Sequence, residues 1–225
     1  MRFAVRLTGP GVFVCAALIS NVAFARDHAF VTKDPIREQL RAMGKPGLTV
    51  AQARDHVLEI LQPQNSCSAW FQDAAPNAAS HFASLKFVIE NGPRDVLSWR
   101  SRSGEMLFKH PYAAMALQDA TGNYFVVLNA RGAFFVRAAV VLRQENEGRF
   151  FRAVGSRYLL VGSYVGDTLA AQITILLHEL GHVVGRLPDD SDELSGQSGR
   201  NTAEVLRFCR RQINAAVRSP LHSGP

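Results

Sequence analysis

The chain has 225 residues, 47% of them hydrophobic and 20% charged, which is enough apolar material for a core and argues against a disordered or low-complexity chain. Its formal net charge of +6 is scattered along the sequence. The densest basic group, Arg207, Arg210 and Arg211, reads as the solvated face of a helix, so no nucleic-acid partner is expected.

Residues 1–25 read as a secretory signal. Arg2 and Arg6 give a positive start, an apolar run covers 12–19, and Ala23-Phe24-Ala25 fits the small-x-small pattern of a cleavage site. The apolar run falls short of the roughly 20 residues a membrane span needs, so export with cleavage near Ala25 is expected, to the periplasm or beyond, with no membrane partner after signal removal. Cys15 leaves with the signal. That places Cys67 and Cys209 in an oxidising compartment, where two cysteines pair, and a disulfide between them is expected.

Residues 26–47, punctuated by Pro35 and Pro46, read as an extended arm, and 48–225 as a single domain. Thr49 caps an expected helix carrying Val50, Ala53, Val57, Leu58 and Leu61 at helical spacing, stopped by Pro63. Short runs rich in Val, Ile and Phe follow at 85–89, 96–99, 106–108, 124–128 and 134–136. Gly-containing turn signals separate them, and together they read as strands, with further strands at 150–154 and 158–161 and a helical piece at 111–117.

Strand character ends at Gly166. Asp167 or Thr168 caps a long expected helix with Leu169, Ile173, Leu176, Leu177, Leu180 and Val184 as its apolar set. A loop rich in Asp, Ser and Gly spans 188–200, and Asn201 or Thr202 caps a last helix through Val205, Leu206, Cys209, Ile213 and Val217. The order helix, sheet, two helices predicts an α+β fold: a small mixed or antiparallel sheet packed with the long helix and a C-terminal helix.

The long helix contains His178-Glu179-Leu180-Gly181-His182. Four residues make just over one turn, so both imidazoles project from one face, about 6 Å apart along the axis, and can clamp one zinc ion. Glu179 lies far enough round the helix to leave the metal free and to act as general base on a water. The apolar set projects from the side opposite the histidines, which predicts a motif at the boundary between core and cleft.

Residues 173–185, Ile-Thr-Ile-Leu-Leu-His-Glu-Leu-Gly-His-Val-Val-Gly, resemble the active-site helix of the zincin metallopeptidases, and the strands before it resemble that family's small sheet, whose edge strand aligns substrate. The resemblance implies a zincin-like catalytic domain with one catalytic zinc held by His178 and His182. Glu179 would then take a proton from the attacking water and carry it to the leaving amine. His-Glu-x-x-His-x-x-Gly resembles the metzincin start, with Gly185 allowing a sharp turn, but Pro188 stands where the third metzincin histidine falls. Asp190, then Asp189, are carboxylates that could complete the set. Glu204 is the gluzincin-like alternative, although Phe208 stands where that family often has an aspartate.

The expected function is an exported zinc-dependent hydrolase, foremost a metallopeptidase with a peptide or protein substrate. The alternatives are a zinc hydrolase acting on another amide and a disulfide-stapled binding protein that retains zinc without turnover. Glu179 favours the enzyme readings, because a structural site needs a fourth protein ligand and no base. Tyr158 and Tyr164 precede the motif helix and read as packing residues of strands.

Overall fold

Asp34 and Pro35 open the first helix, α1 (Pro35–Ala42): the Asp34 carboxylate accepts from the amides of Ile36 and Arg37, and proline fills the first turn, where no amide is needed. The structure, a computed structural model, describes residues 34–91, 98–101, 104–108, 112–145, 150–190 and 196–219. The expected signal segment 1–25 and the first part of the arm lie outside the described residues. From residue 34 onward the expected arm is replaced by helix, since α2 (Gly44–Leu61) begins only two residues after α1 ends. Pro46 is accommodated in the first turn of α2, before a backbone donor is required. Gly47 permits the tight α1–α2 corner, because a Cβ there would lie 1.9 Å from the Leu40 carbonyl oxygen.

Two short helices, α3 (Ser66–Gln72) and α4 (Ala78–Ser84), follow, the first opened by a capping box between Asn65 and Ser68. Three strands then form one sheet in the order β1 (Lys86–Glu90), β5 (Tyr124–Asn129), β4 (Ala114–Gln118), with β1 parallel and β4 antiparallel to β5. The expected helical piece at 111–117 is therefore a strand. Its Ala, Met and Leu residues are helix formers, but cross-strand pairing from Ala114↔Leu128 to Gln118↔Tyr124 overrides that preference. The turn between them is tied by Asp119, which accepts from the Thr121 hydroxyl and from the amides of Thr121 and Asn123.

A second, antiparallel sheet has the order β2 (Ser98–Ser101), β3 (Gly104–Phe108), β6 (Ala138–Glu145), β7 (Phe150–Tyr158). β6 forms where the sequence predicts no strand. Residues 134–136, expected as a strand, form a turn instead: the Phe134 ring is buried and its carbonyl accepts from the Gln172 side chain. A small ribbon of β8 (Leu160–Val161) and β9 (Tyr164–Val165) leads into α5 (Leu169–Val183), capped by Thr168.

The fold is α+β, with α5 at its centre. α5 packs against α2, the C-terminal helix α6 (Gln197–Arg218) and β4. Ile173, Leu176, Leu177 and Leu180 join Val50, Val57, Phe71 and Leu206 in one buried cluster, each contributing about 1.5–3 kcal/mol by leaving water. Every residue from Ala170 to Gly181 is buried, so α5 is enclosed all round rather than one-sided as its apolar stripe predicts. α6 begins four residues ahead of the expected caps, after Gly196 in the left-handed conformation, and places Asn201 and Thr202 inside the helix. The expected disulfide is present, joining Cys67 on α3 to Cys209 on α6. Among the described residues no helix is long and apolar enough to cross a membrane.

Candidate metal centre

His178 and His182 stand on the last turns of α5, and the chain after the helix folds back to meet them. Gly185, at φ +69°, makes the reversal, and the amides of Arg186 and Leu187 both donate to the Gly181 carbonyl, at 2.8 and 3.1 Å. Leu187 then packs onto the helix. Gly181 makes this possible, because a Cβ at that position would lie 2.5 Å from Leu187 Cδ1. The returning loop delivers Asp190 to the histidines.

The three side chains converge closely. His178 Nε2 is 2.9 Å from Asp190 Oδ2, His182 Nε2 is 3.3 Å from Asp190 Oδ1, and the two Nε2 atoms are 3.0 Å apart. Among the described residues these three form the group able to hold a metal ion. Donors about 2.0 Å from a tetrahedral zinc ion stand about 3.3 Å from one another, and the two Nε2 atoms at 3.0 Å are close to that spacing, with one carboxylate oxygen of Asp190 beside each of them. Two imidazole nitrogens and one carboxylate oxygen are also a donor set that zinc accepts, with room left for one further ligand.

The other two carboxylates considered from sequence are not members of this group. Asp189 is exposed, and Glu204 forms an ion pair with Arg207 at 3.8 Å. Two further carboxylates of the same loop, Asp192 and Glu193, and the histidine before Pro111, His110, fall outside the described residues. Tyr164 donates to Asn214 Oδ1 at 2.7 Å, tying β9 to α6, and exposed Tyr158 lies under the Arg137 guanidinium.

Two residues that the sequence reading assigns to helix capping belong to the centre. Thr202 Oγ1 lies 3.0 Å from His178 Nδ1. Asn201 Nδ2 donates to the Pro188 carbonyl at 2.9 Å and to Asp190 Oδ2 at 3.2 Å. A signal for them exists in the sequence: both are polar, yet at helical spacing they continue the buried stripe of Val205, Leu206 and Cys209.

The electrostatics follow from this packing. Burial opposes ionisation of Asp190, but hydrogen bonds and charge from His178 and His182 outweigh it and hold its carboxyl far below the usual range. Burial works against a charged His182, yet Asp190, Glu179 and Asp189 together push its pKa up. Burial pushes Glu179 up, against the opposing pull of the two histidines and of the Ala116 backbone of β4. Glu179 is 6% exposed, so the expected position at the edge of a cleft is corrected: the motif is embedded, and its more open side is at His182.

Compared with models of protein families, with curated proteins and with solved structures, the chain matches none.

Proposed function

We propose that the protein is an exported zinc-dependent hydrolase, foremost a metallopeptidase, with His178, His182 and Asp190 as metal ligands and Glu179 as general base. The observation that carries this reading is the convergence of two imidazoles and one carboxylate at 2.9–3.3 Å, beside a glutamate that is not part of the ligand group. Zinc, when bound, supplies Lewis acidity that lowers the pKa of a coordinated water towards neutrality and polarises a carbonyl.

The chain's own residues account for the rest. Glu179 accepts a proton from the attacking water and hands it to the leaving amine, a role typically worth about 10²–10⁴ in rate. β4 ends its sheet on the side of α5, with Ala116 at the Glu179 carboxyl, so an extended peptide adding to that edge would run past the general base. The Cys67–Cys209 disulfide supports an oxidising destination.

One observation favours a second reading, a disulfide-stapled binding protein that retains zinc without turnover: the Glu179 carboxyl is buried and lies against the backbone of β4. The test of the main reading is the zinc content of the purified protein together with cleavage of unfolded casein. One equivalent of zinc and cleavage abolished by a chelator support it. Absence of bound zinc after equilibration with the metal contradicts it.

A further inference from the structure

Asn201 and Thr202 sit side by side on α6, and each is buried against a different member of the metal group. Thr202 Oγ1 meets Nδ1 of His178, the ring nitrogen turned away from the other two ligands. An oxygen accepting from Nδ1–H leaves the Nε2 lone pair facing His182 and Asp190, and it fixes the plane of the ring.

Asn201 works on the loop. Its side-chain nitrogen lies between two acceptors, the Pro188 carbonyl and Asp190 Oδ2, so that atom must be the donor. Its own oxygen then accepts from Gln197 Nε2 at 2.7 Å, and Gln197 Oε1 in turn accepts from Arg200 Nε and Nη2 at 3.0 and 2.7 Å. The donor direction is consistent from the Arg200 guanidinium to the Asp190 carboxylate. A carboxamide satisfies this arrangement at position 201, whereas a carboxylate of the same shape would oppose two acceptors.

We propose that Asn201 and Thr202 are positioning residues of the metal centre: one turn of α6 sets the ring plane and the metal-facing nitrogen of His178 and holds Asp190 at the end of its loop. The inference rests on the zinc reading above and adds residues outside the HExxH motif and its loop. Orienting partners of this kind are worth about 10–100-fold in metal affinity.

The test is competition for Zn2+ between a chelator of known affinity and the purified, disulfide-intact protein, repeated with Co2+ to read the absorption of the bound ion. The parent is titrated first, and a parent that takes up neither metal overturns the zinc reading and this one with it. Given a parent that binds one equivalent, Thr202→Val and Asn201→Asp should each weaken zinc about 10–100-fold and alter the Co2+ spectrum, while Thr202→Ser, which keeps the hydroxyl, restores both. Thermal melting of the metal-free variants separates this from loss of fold, and Asn201→Asp decides the matter if Thr202→Val does not fold. Zinc affinity and Co2+ spectrum equal to the parent's in a folded Thr202→Val or Asn201→Asp protein overturn the proposal while leaving the zinc site standing.

Discussion

A methyl group added to Gly181 would lie 2.5 Å from Cδ1 and 2.6 Å from Cγ of Leu187, so the motif helix and the loop that carries Asp190 meet there with no space for a side chain. Gly181→Ala gains about 1 kcal/mol of helix propensity, while overpacking of this kind typically costs about 1–3 kcal/mol. Leu187 is buried and its amide is tied to Gly181, so it cannot move aside without moving the loop. The expected outcome is a net loss of about 1 kcal/mol in thermal unfolding together with weaker zinc binding. An alanine variant as stable as the parent, with unchanged zinc affinity, contradicts this view of the loop.

The Cys67–Cys209 disulfide fastens α6 to α3, and Cys209 lies about two turns beyond Thr202 on the same helix. Closing a loop with a sequence separation of 142 restricts the unfolded chain, and its removal by Cys67→Ser with Cys209→Ser should cost roughly 3–5 kcal/mol. Denaturant titration in the presence and absence of a reductant checks this on the parent protein. Identical midpoints under the two conditions, with thiol release verified, would refute it.

Much of the site is legible from its residues, for a simple reason. The HExxH spacing carries its own geometry, since a helix of fixed pitch puts His178 and His182 on one face whatever surrounds it. Likewise Gly185 followed by Pro188 announces a reversal, and Asp190 is the loop carboxylate that reaches the histidines. Asn201 and Thr202 are harder to read, because Asn and Thr are favoured at helix starts, and the partners that hold them inside α6, the Pro188–Asp190 segment and His178, lie 11 to 24 residues away. The prolines of 26–47 suggest an extended arm, yet Asp34-Pro35 is itself a helix-start signal, and helix is what forms there. β4 formed because β5 pairs with it, a long-range effect that local propensity does not contain.

The α1 cap has a second partner. Arg54, 2% exposed, donates from Nη1 to Asp34 Oδ2 at 2.6 Å and from Nη2 to the Ala83 carbonyl at 2.8 Å. Asp34→Ala removes both the cap and the nearer of two counter-charges of a buried guanidinium, the other being Asp55 at 4.0 Å, an expected loss of about 2 kcal/mol after allowing for the solvent screening of the partly exposed carboxylate. Burial opposes ionisation of Asp34, but the Arg37 amide and Arg54 prevail and lower its pKa from 3.8. Its stabilising contribution is therefore present above about pH 3.8 and is lost as pH falls through the lowered folded value. Melting curves of parent and variant should converge in acid. Parallel curves at all pH values would contradict this assignment.

Among the three carboxylates, Asp190→Ala should lose the most zinc on dialysis, because Asp190 lies beside both imidazoles while Asp189 is exposed and Glu204 pairs with Arg207. Metal analysis of the three alanine variants checks the order. A greater loss from Glu204→Ala would transfer the third-ligand role to α6.

The central claim concerns Glu179, which lies next to a ligand in sequence but outside the ligand group, with its carboxyl against β4. Glu179→Gln keeps the shape of the side chain but cannot take a proton from water. The decisive measurement is the rate of chelator-sensitive peptide hydrolysis by parent and Glu179→Gln protein, each shown to carry one zinc. The account predicts a parent that cleaves and a folded, zinc-loaded variant slower by about 10²–10⁴. Parent and variant equally inactive across a broad panel of peptides and amides, both with zinc bound, would contradict it and favour a zinc-retaining binding protein.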